Sequence, residues 1–181
     1  TAISGSDIIW YDHPLCYGKP GICGDSIGSI MVQNSDLLIV LGTRLSIRQV
    51  SYAYDLLAPK AYKVMVDIDL AEMEKPTLSI DMPIHANLSE FIDKMLKRLE
   101  TVDDLTNFAD WCKWGREIEK KIPTLFDDNP DMPGYTNSYK FADELFKQLN
   151  SGDVVVTGNG TAYTCTYQAM KVKKGVQVFA N

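Results

Sequence analysis

Two short apolar runs, DLLIVL at 36–41 and KVMVDID at 63–69, constrain the fold of this chain more than any other feature. Each is too short for an ordinary helix and nearly continuous in apolar residues, the pattern of a strand buried on both faces of a parallel sheet. The first stops at Gly42 and the second at two carboxylates, Asp67 and Asp69. A helix is expected between them over 46–57, ended by Pro59, which makes a strand–helix–strand crossover. Ligands of open α/β sheets sit beyond the carboxyl ends of the strands. Gly42, Thr43 and Arg44 after one strand, and Asp67 and Asp69 at the end of the other, are therefore expected on one ligand edge.

A nucleotide lying across strand ends needs a glycine for close approach, an arginine for phosphate charge and a carboxylate for ribose or adenine groups. Arg44 and Arg48 stand four apart, which places both on one helical face, either toward such a ligand or paired at the surface with Asp36 or Asp55. A second glycine turn, Gly158-Asn159-Gly160-Thr161, falls between an expected strand at 154–156 and an expected helix reaching Met170. Backbone N–H groups at such a turn, next to the positive end of a helix, suit a phosphate, although a tight turn alone would use the same residues.

With 181 residues and 45% hydrophobic content the chain can hold one core, or one domain and part of another. The net charge of −6 comes from interspersed acids with no offsetting basic stripe, so no nucleic-acid partner is expected. Lys171, Lys173 and Lys174 form the densest basic cluster and read as a solvated helix end. No apolar run nears the roughly 20 residues of a membrane helix, and the first residues lack a signal-peptide pattern, so a cytoplasmic protein with no membrane partner is expected. Cys16, Cys23, Cys112 and Cys165 make no CxxC pair and read as reduced thiols. His13 precedes Cys16 by three residues, but no third group completes a catalytic set, and two histidines cannot build a multi-histidine metal site. No catalytic or metal-binding residue is assigned within this chain.

Residues 1–24 read as irregular structure, and 25–34 as a short helix capped by Asp25 or Ser26. A brief turn is expected at 71–75 before Pro76 and Pro83 break the chain. Residues 88–99 carry the apolar stripe Leu88, Phe91, Ile92, Met95, Leu96 and Leu99 of an amphipathic helix, opened by Asn87 with Glu90 three residues on. Residues 100–136 read as an acidic connector with one helix over about 105–122, Trp111 and Trp114 as docking residues, and the loop FDDNPDMPGYTN. From Asn137 a new α/β unit begins, with a helix, a Ser-Gly-Asp turn, the strand, glycine turn and helix described above, and a last strand at 176–179. Two strands with one crossover cannot cover both faces of a sheet, so this unit is expected to be incomplete and the chain to be a fragment. The fold class is α/β: a parallel sheet flanked by helices, followed by an incomplete second α/β unit.

The ordered set DHPLCYGKPGICGD, QNSDLLIVLGTRLSIRQ, KVMVDIDLAEMEKPTL, MPIHANLSEF and GDVVVTGNGTA resembles the thiamine-diphosphate-dependent enzymes of the acetolactate synthase type, over nearly the whole chain. The resemblance implies a Rossmann-like central nucleotide-binding domain at 1–99 lacking its first strand and helix, a connector at 100–136, and the beginning of the thiamine-diphosphate-binding domain at 137–181. In that family the central sheet is six-stranded and its strand ends hold FAD, or ADP or nothing in some relatives. Gly42, Thr43 and Arg44 match its Gly-x-Arg segment, Asp67, Ile68 and Asp69 its Asp-Ile-Asp segment, and Gly24 the glycine at the preceding helix start. The chain departs from the synthase pattern in carrying Leu45-Ser46-Ile47-Arg48 where Phe and paired acids follow, and Ala86-Asn87 where Gly-Asp is common. Asn159, Gly160 and Thr161 match residues that contact the thiamine diphosphate tail.

The magnesium-binding motif and the glutamate that activates the cofactor are not in this chain, so it is expected to be inactive alone. The parent implied by the resemblance acts on a 2-oxoacid with thiamine diphosphate and magnesium, as a homo-oligomer. From the residues by themselves, a non-catalytic nucleotide-binding or oligomerisation module is the alternative. An NAD-dependent oxidoreductase is disfavoured because no GxGxxG follows a strand.

Overall fold

The computed structural model describes residues 1–103, 108–122 and 130–180. They form two compact units, Val32–Trp111 and Thr1–Met31 with Cys112–Asn181. The order of elements is α1 (Ser26–Gln33), β1 (Leu37–Leu41), α2 (Ile47–Val50), β2 (Tyr62–Asp67), α3 (Leu70–Glu74), β3 (Met82–His85), α4 (Leu88–Leu99), α5 (Ala109–Glu119), α6 (Ser138–Gln148), β4 (Val154–Thr157), α7 (Thr161–Ala169) and β5 (Gln177–Ala180).

In the Val32–Trp111 unit three strands pair in parallel in the order β1-β2-β3, as the crossover pattern requires. Leu37 stands opposite Tyr62, Leu41 opposite Val66, and Asp67 opposite His85, so the three carboxyl ends lie level. Val40 and Met65 project to one face, where Leu45, Val50, Leu57, Ala58, Ala61 and Met73 complete a core. On β1 the alternate residues Leu37, Ile39 and Leu41 remain exposed. Asn87 caps α4 by accepting from the Ser89 N–H at 2.9 Å, yet no residue of α4 is buried and Ile92, Met95, Leu96 and Leu99 stay largely open.

The helix expected at 46–57 is only α2, because Ser51 takes a left-handed conformation (φ 63°) and a separate 3-10 turn, Tyr54–Leu56, follows. Val50 and Leu57 still reach the core together, but by a bent path that lets the fully buried Ala58 donate its N–H to Gln33. Arg44 lies before α2, separated from it by the left-handed Leu45 (φ 46°), so Arg44 and Arg48 do not share one helical face. Strand β3 forms despite Pro83, since an edge strand tolerates a missing N–H, and its ladder resumes where the Ala86 N–H donates to the Asp67 carbonyl at 3.0 Å. The turn expected at 71–75 is helix α3. Residues 104–107 and 123–129 of the expected connector, including the first turn of its helix and the start of its acidic loop, lie outside the described residues.

The other unit pairs β4 and β5 in parallel and packs Phe146, Tyr167, Met170, Val172, Val176 and Val178 into a core that Ile3 completes. Residues 1–31 are bound into it, with the Asp7 carboxylate accepting the Val178 N–H at 3.0 Å. Arg116 donates to the carbonyls of His13, Pro14 and Cys16 at 3.3, 2.9 and 3.1 Å and stacks over Tyr17. Among the described residues, no helix is long and apolar enough to cross a membrane.

Candidate functional site

The level carboxyl ends of β1 and β2 put Gly42, Thr43 and Arg44 on the same sheet edge as Asp67, Ile68 and Asp69. Gly42 needs its missing side chain twice over. Its φ is +59°, and a Cβ there would lie 3.0 Å from Leu88 Cδ2. The Gly42 N–H continues the ladder to the Val66 carbonyl at 3.0 Å, which holds the turn against the end of the sheet. Gln49 then fixes the loop from within, its Oε1 accepting from the Thr43 hydroxyl at 3.1 Å and the Ser46 N–H at 3.2 Å.

Asp67 is buried and accepts the Asp69 N–H at 2.9 Å, folding the acidic tripeptide on itself, while Asp69 caps α3 through the Ala71 N–H at 3.0 Å. Ile68 is exposed between them, and its carbonyl lies 2.9 Å from His85 Nε2, which ties the ends of β2 and β3 together. The carboxylates expected to face a ligand are thus partly engaged in local structure.

The main charged contact of the edge differs from the pairings expected for Arg44. Arg44 pairs with Glu72 of α3 (3.4 Å), and neither Asp36 nor Asp55 is its partner. The second oxygen of Glu72 pairs with Lys75 at 2.9 Å, and Lys75 also donates to the Arg44 carbonyl. Hydrogen bonding from Lys75, with help from Arg44, holds the Glu72 carboxyl below its ordinary value. Glu72 and Lys75 at i,i+3 after the capping Asp69 were readable as a helical pair. Their closure onto Arg44, 28 residues away, was not.

In the other unit the turn at 158–160 leaves β4 and leads into α7. Asn159, Gly160 and Thr161 are all exposed. Gly160 has φ +68° and therefore a conformational reason to be glycine, whereas Gly158 lacks a positive φ and a Cβ there would meet nothing within 4 Å. Close approach by a ligand is a use for Gly158 that packing does not supply. The leading N–H groups of a helix have no acceptor inside it, and Gly160 brings no capping side chain to α7, so the donor set fits an anionic tail.

Gly24 is placed differently. It lies in a tight wrap around Lys19, where an added Cβ would fall 2.8 Å from the Lys19 carbonyl carbon and 2.9 Å from that of Pro20. Packing alone accounts for this glycine. His13 Nδ1 accepts the Leu15 N–H at 3.1 Å, which occupies that nitrogen in local structure. Among the described residues, no group of three or more His, Cys, Asp or Glu side chains could hold a metal ion.

Residues 1–95 match the family model described as "Thiamine pyrophosphate enzyme, central domain". Similar proteins include the "Probable acetolactate synthase large subunit" of Methanocaldococcus jannaschii, 30% identical over 155 residues, which make up 84% of this chain and 25% of the relative. The "Acetolactate synthase" of Mycobacterium leprae is 32% identical over 82% of this chain and 23% of its own length. The "Acetolactate synthase isozyme 1 large subunit" of Escherichia coli K12 is 31% identical over 61% of this chain and 19% of its own length. The chain therefore spans a quarter or less of each of these relatives.

Proposed function

The chain belongs to the thiamine pyrophosphate enzymes, with their central domain in residues 1–95, and from that premise we propose that it is part of a thiamine-diphosphate-dependent 2-oxoacid decarboxylase or carboligase of the acetolactate synthase type. Its β1–β2–β3 edge binds a nucleotide such as FAD or ADP. The observation that carries this reading is the convergence of Gly42–Arg44 and Asp67–Asp69 at the level carboxyl ends of parallel strands, where the geometry of such sheets puts ligands. Arg44 supplies phosphate charge and Asp67 or Asp69 a carboxylate for the sugar or base.

In the same proposal the domain limits are 1–99, 100–136 and 137–181, and Asn159, Gly160 and Thr161 hold the diphosphate tail of thiamine diphosphate. The cofactor, with magnesium, supplies an electron sink for carbon dioxide loss from a 2-oxoacid. This chain's residues bind and orient, and carry no proton-transfer step. The whole protein is a cytoplasmic homo-oligomer. Because the chain spans so little of its relatives, the 181-residue piece by itself does not turn over 2-oxoacids. Release of carbon dioxide from pyruvate by the purified chain with thiamine diphosphate and magnesium would refute that part.

The test of the nucleotide site is calorimetric titration of the chain with ADP and with FAD. Arg44→Ala is expected to weaken binding by about 1.5–3 kcal/mol, the range for hydrogen bonds to charged groups. Equal affinity of the two proteins would remove Arg44 from the site.

A further inference from the structure

The Arg44–Glu72–Lys75 cluster has a property that a passive binding edge does not need. Its two cations are already shared by one carboxylate, with Glu72 Oε1 at 3.4 Å from Arg44 and Oε2 at 2.9 Å from Lys75. Arginine recognises carboxylate and phosphate by the same geometry, so two groups of these kinds compete for it. The Arg44 side chain is 70% exposed and the Glu72 side chain 20%, so the arginine can turn outward while the carboxylate stays. A pair this open on the arginine side is weak and exchangeable, whereas Glu72 and Lys75 are more enclosed, at 20% and 23% exposure.

Asp67, Asp69 and Glu72 carry three negative charges at this edge, against two positive charges on Arg44 and Lys75. An arriving phosphate meets a net negative edge, and it must compete with Glu72 for both cations.

We infer that Glu72 is a built-in competitor for the phosphate of the nucleotide, occupying Arg44 and Lys75 in the free protein and setting the affinity of the site by its release. The inference rests on the nucleotide reading above and adds two residues to it: Lys75 as a second phosphate cation and Glu72 as the anion that must be displaced. Lys75 is well placed for this exchange because its bond to the Arg44 carbonyl keeps it beside the loop when Arg44 turns from Glu72 to the phosphate. The device favours ligands whose phosphate carries more charge than a carboxylate and disfavours neutral or monoanionic ones.

The experiment is calorimetric titration of the 181-residue chain and its variants with ADP at low and high salt. Glu72→Gln is expected to bind ADP about threefold to fivefold more tightly than wild type, the scale of an exposed ion pair. The gain should shrink at high salt. Glu72→Ala, which also removes the hydrogen bonds, should tighten binding similarly. Glu74→Gln removes an exposed charge from the same helix without touching Arg44 or Lys75, and should shift affinity less. Unchanged or weaker ADP binding in both Glu72 variants, with wild type binding and Arg44→Ala weakened, overturns the competitor role and leaves the nucleotide site standing. No heat of binding for wild type or either Glu72 variant overturns the nucleotide reading and this inference together.

Discussion

Replacing Gly24 with alanine separates two roles for that residue. The resemblance assigns it to cofactor binding, whereas its surroundings assign it to packing. Gly24 does not have a left-handed φ, so the cost of a side chain there is purely steric. The new Cβ would fall 2.8 Å from the Lys19 carbonyl carbon, and closer still to its oxygen, with Pro20 carbon at 2.9 Å. These neighbours are backbone and cannot swing away. Relief requires moving the 19–25 wrap, where the Asp25 N–H donates to the Lys19 carbonyl at 2.8 Å and the Asp25 carboxylate accepts the Lys19 N–H at 2.9 Å. Overpacking costs about 1–3 kcal/mol and one lost hydrogen bond about 1 kcal/mol, so the variant should lose roughly 2–4 kcal/mol. For a chain of this size that is a fall in Tm of about 4–16 °C. Thermal unfolding followed by circular dichroism and tryptophan fluorescence reads it directly. Gly158→Ala is the control, with open space around its Cβ and an expected change within about 0.5 kcal/mol. A Gly24→Ala protein that melts with the wild type would refute the packing argument and return Gly24 to a ligand.

Asp143 is buried on α6 between Lys147 at 2.6 Å and Lys171 at 3.3 Å. Burial alone would raise its carboxyl, but hydrogen bonds and charge from the two lysines carry it below the ordinary value. A lowered folded-state value means that the stabilisation is present above the ordinary carboxylate range and is lost as pH falls through the folded value. Asp143→Asn should therefore cost about 1.5–3 kcal/mol at neutral pH in urea unfolding, with the gap to wild type closing below about pH 4; a gap that persists in acid would contradict it. Amide hydrogen exchange should be fast at 159–162, where Asn159–Thr161 are exposed, and slow at 38–41 in the β1 ladder. Equal protection would show that the turn is held more firmly than its exposure suggests.

Elements whose physics is local were legible in the residues alone. Apolar runs of strand length ended by Gly42 and by Asp67 identified β1 and β2 and their shared edge, because so short an apolar run suits a strand of a parallel sheet better than a helix, although one face of β1, with Leu37, Ile39 and Leu41, stays exposed. Asn87 and the stripe behind it identified α4 to the residue, since capping and helical period act within a few positions. Glycine spacing located the β4–α7 turn for the same reason.

Features that depend on residues far apart in the chain emerged only from the packed fold. The periodicity of 46–57 suits a helix, but packing Leu57 and Ala58 into the core bends it at Ser51, and the i,i+7 spacing of Val50 and Leu57 could not reveal the difference. Pro83 argued against a strand until the edge position of β3 was known. Ile3 joins the core of elements more than 140 residues away in sequence, which no local pattern encodes. The partner of Arg44 was settled in the same way. Long side chains pair across the surface with whichever carboxylate the fold delivers, and here α3, set down after β2, delivers Glu72 where sequence spacing offered Asp36 or Asp55.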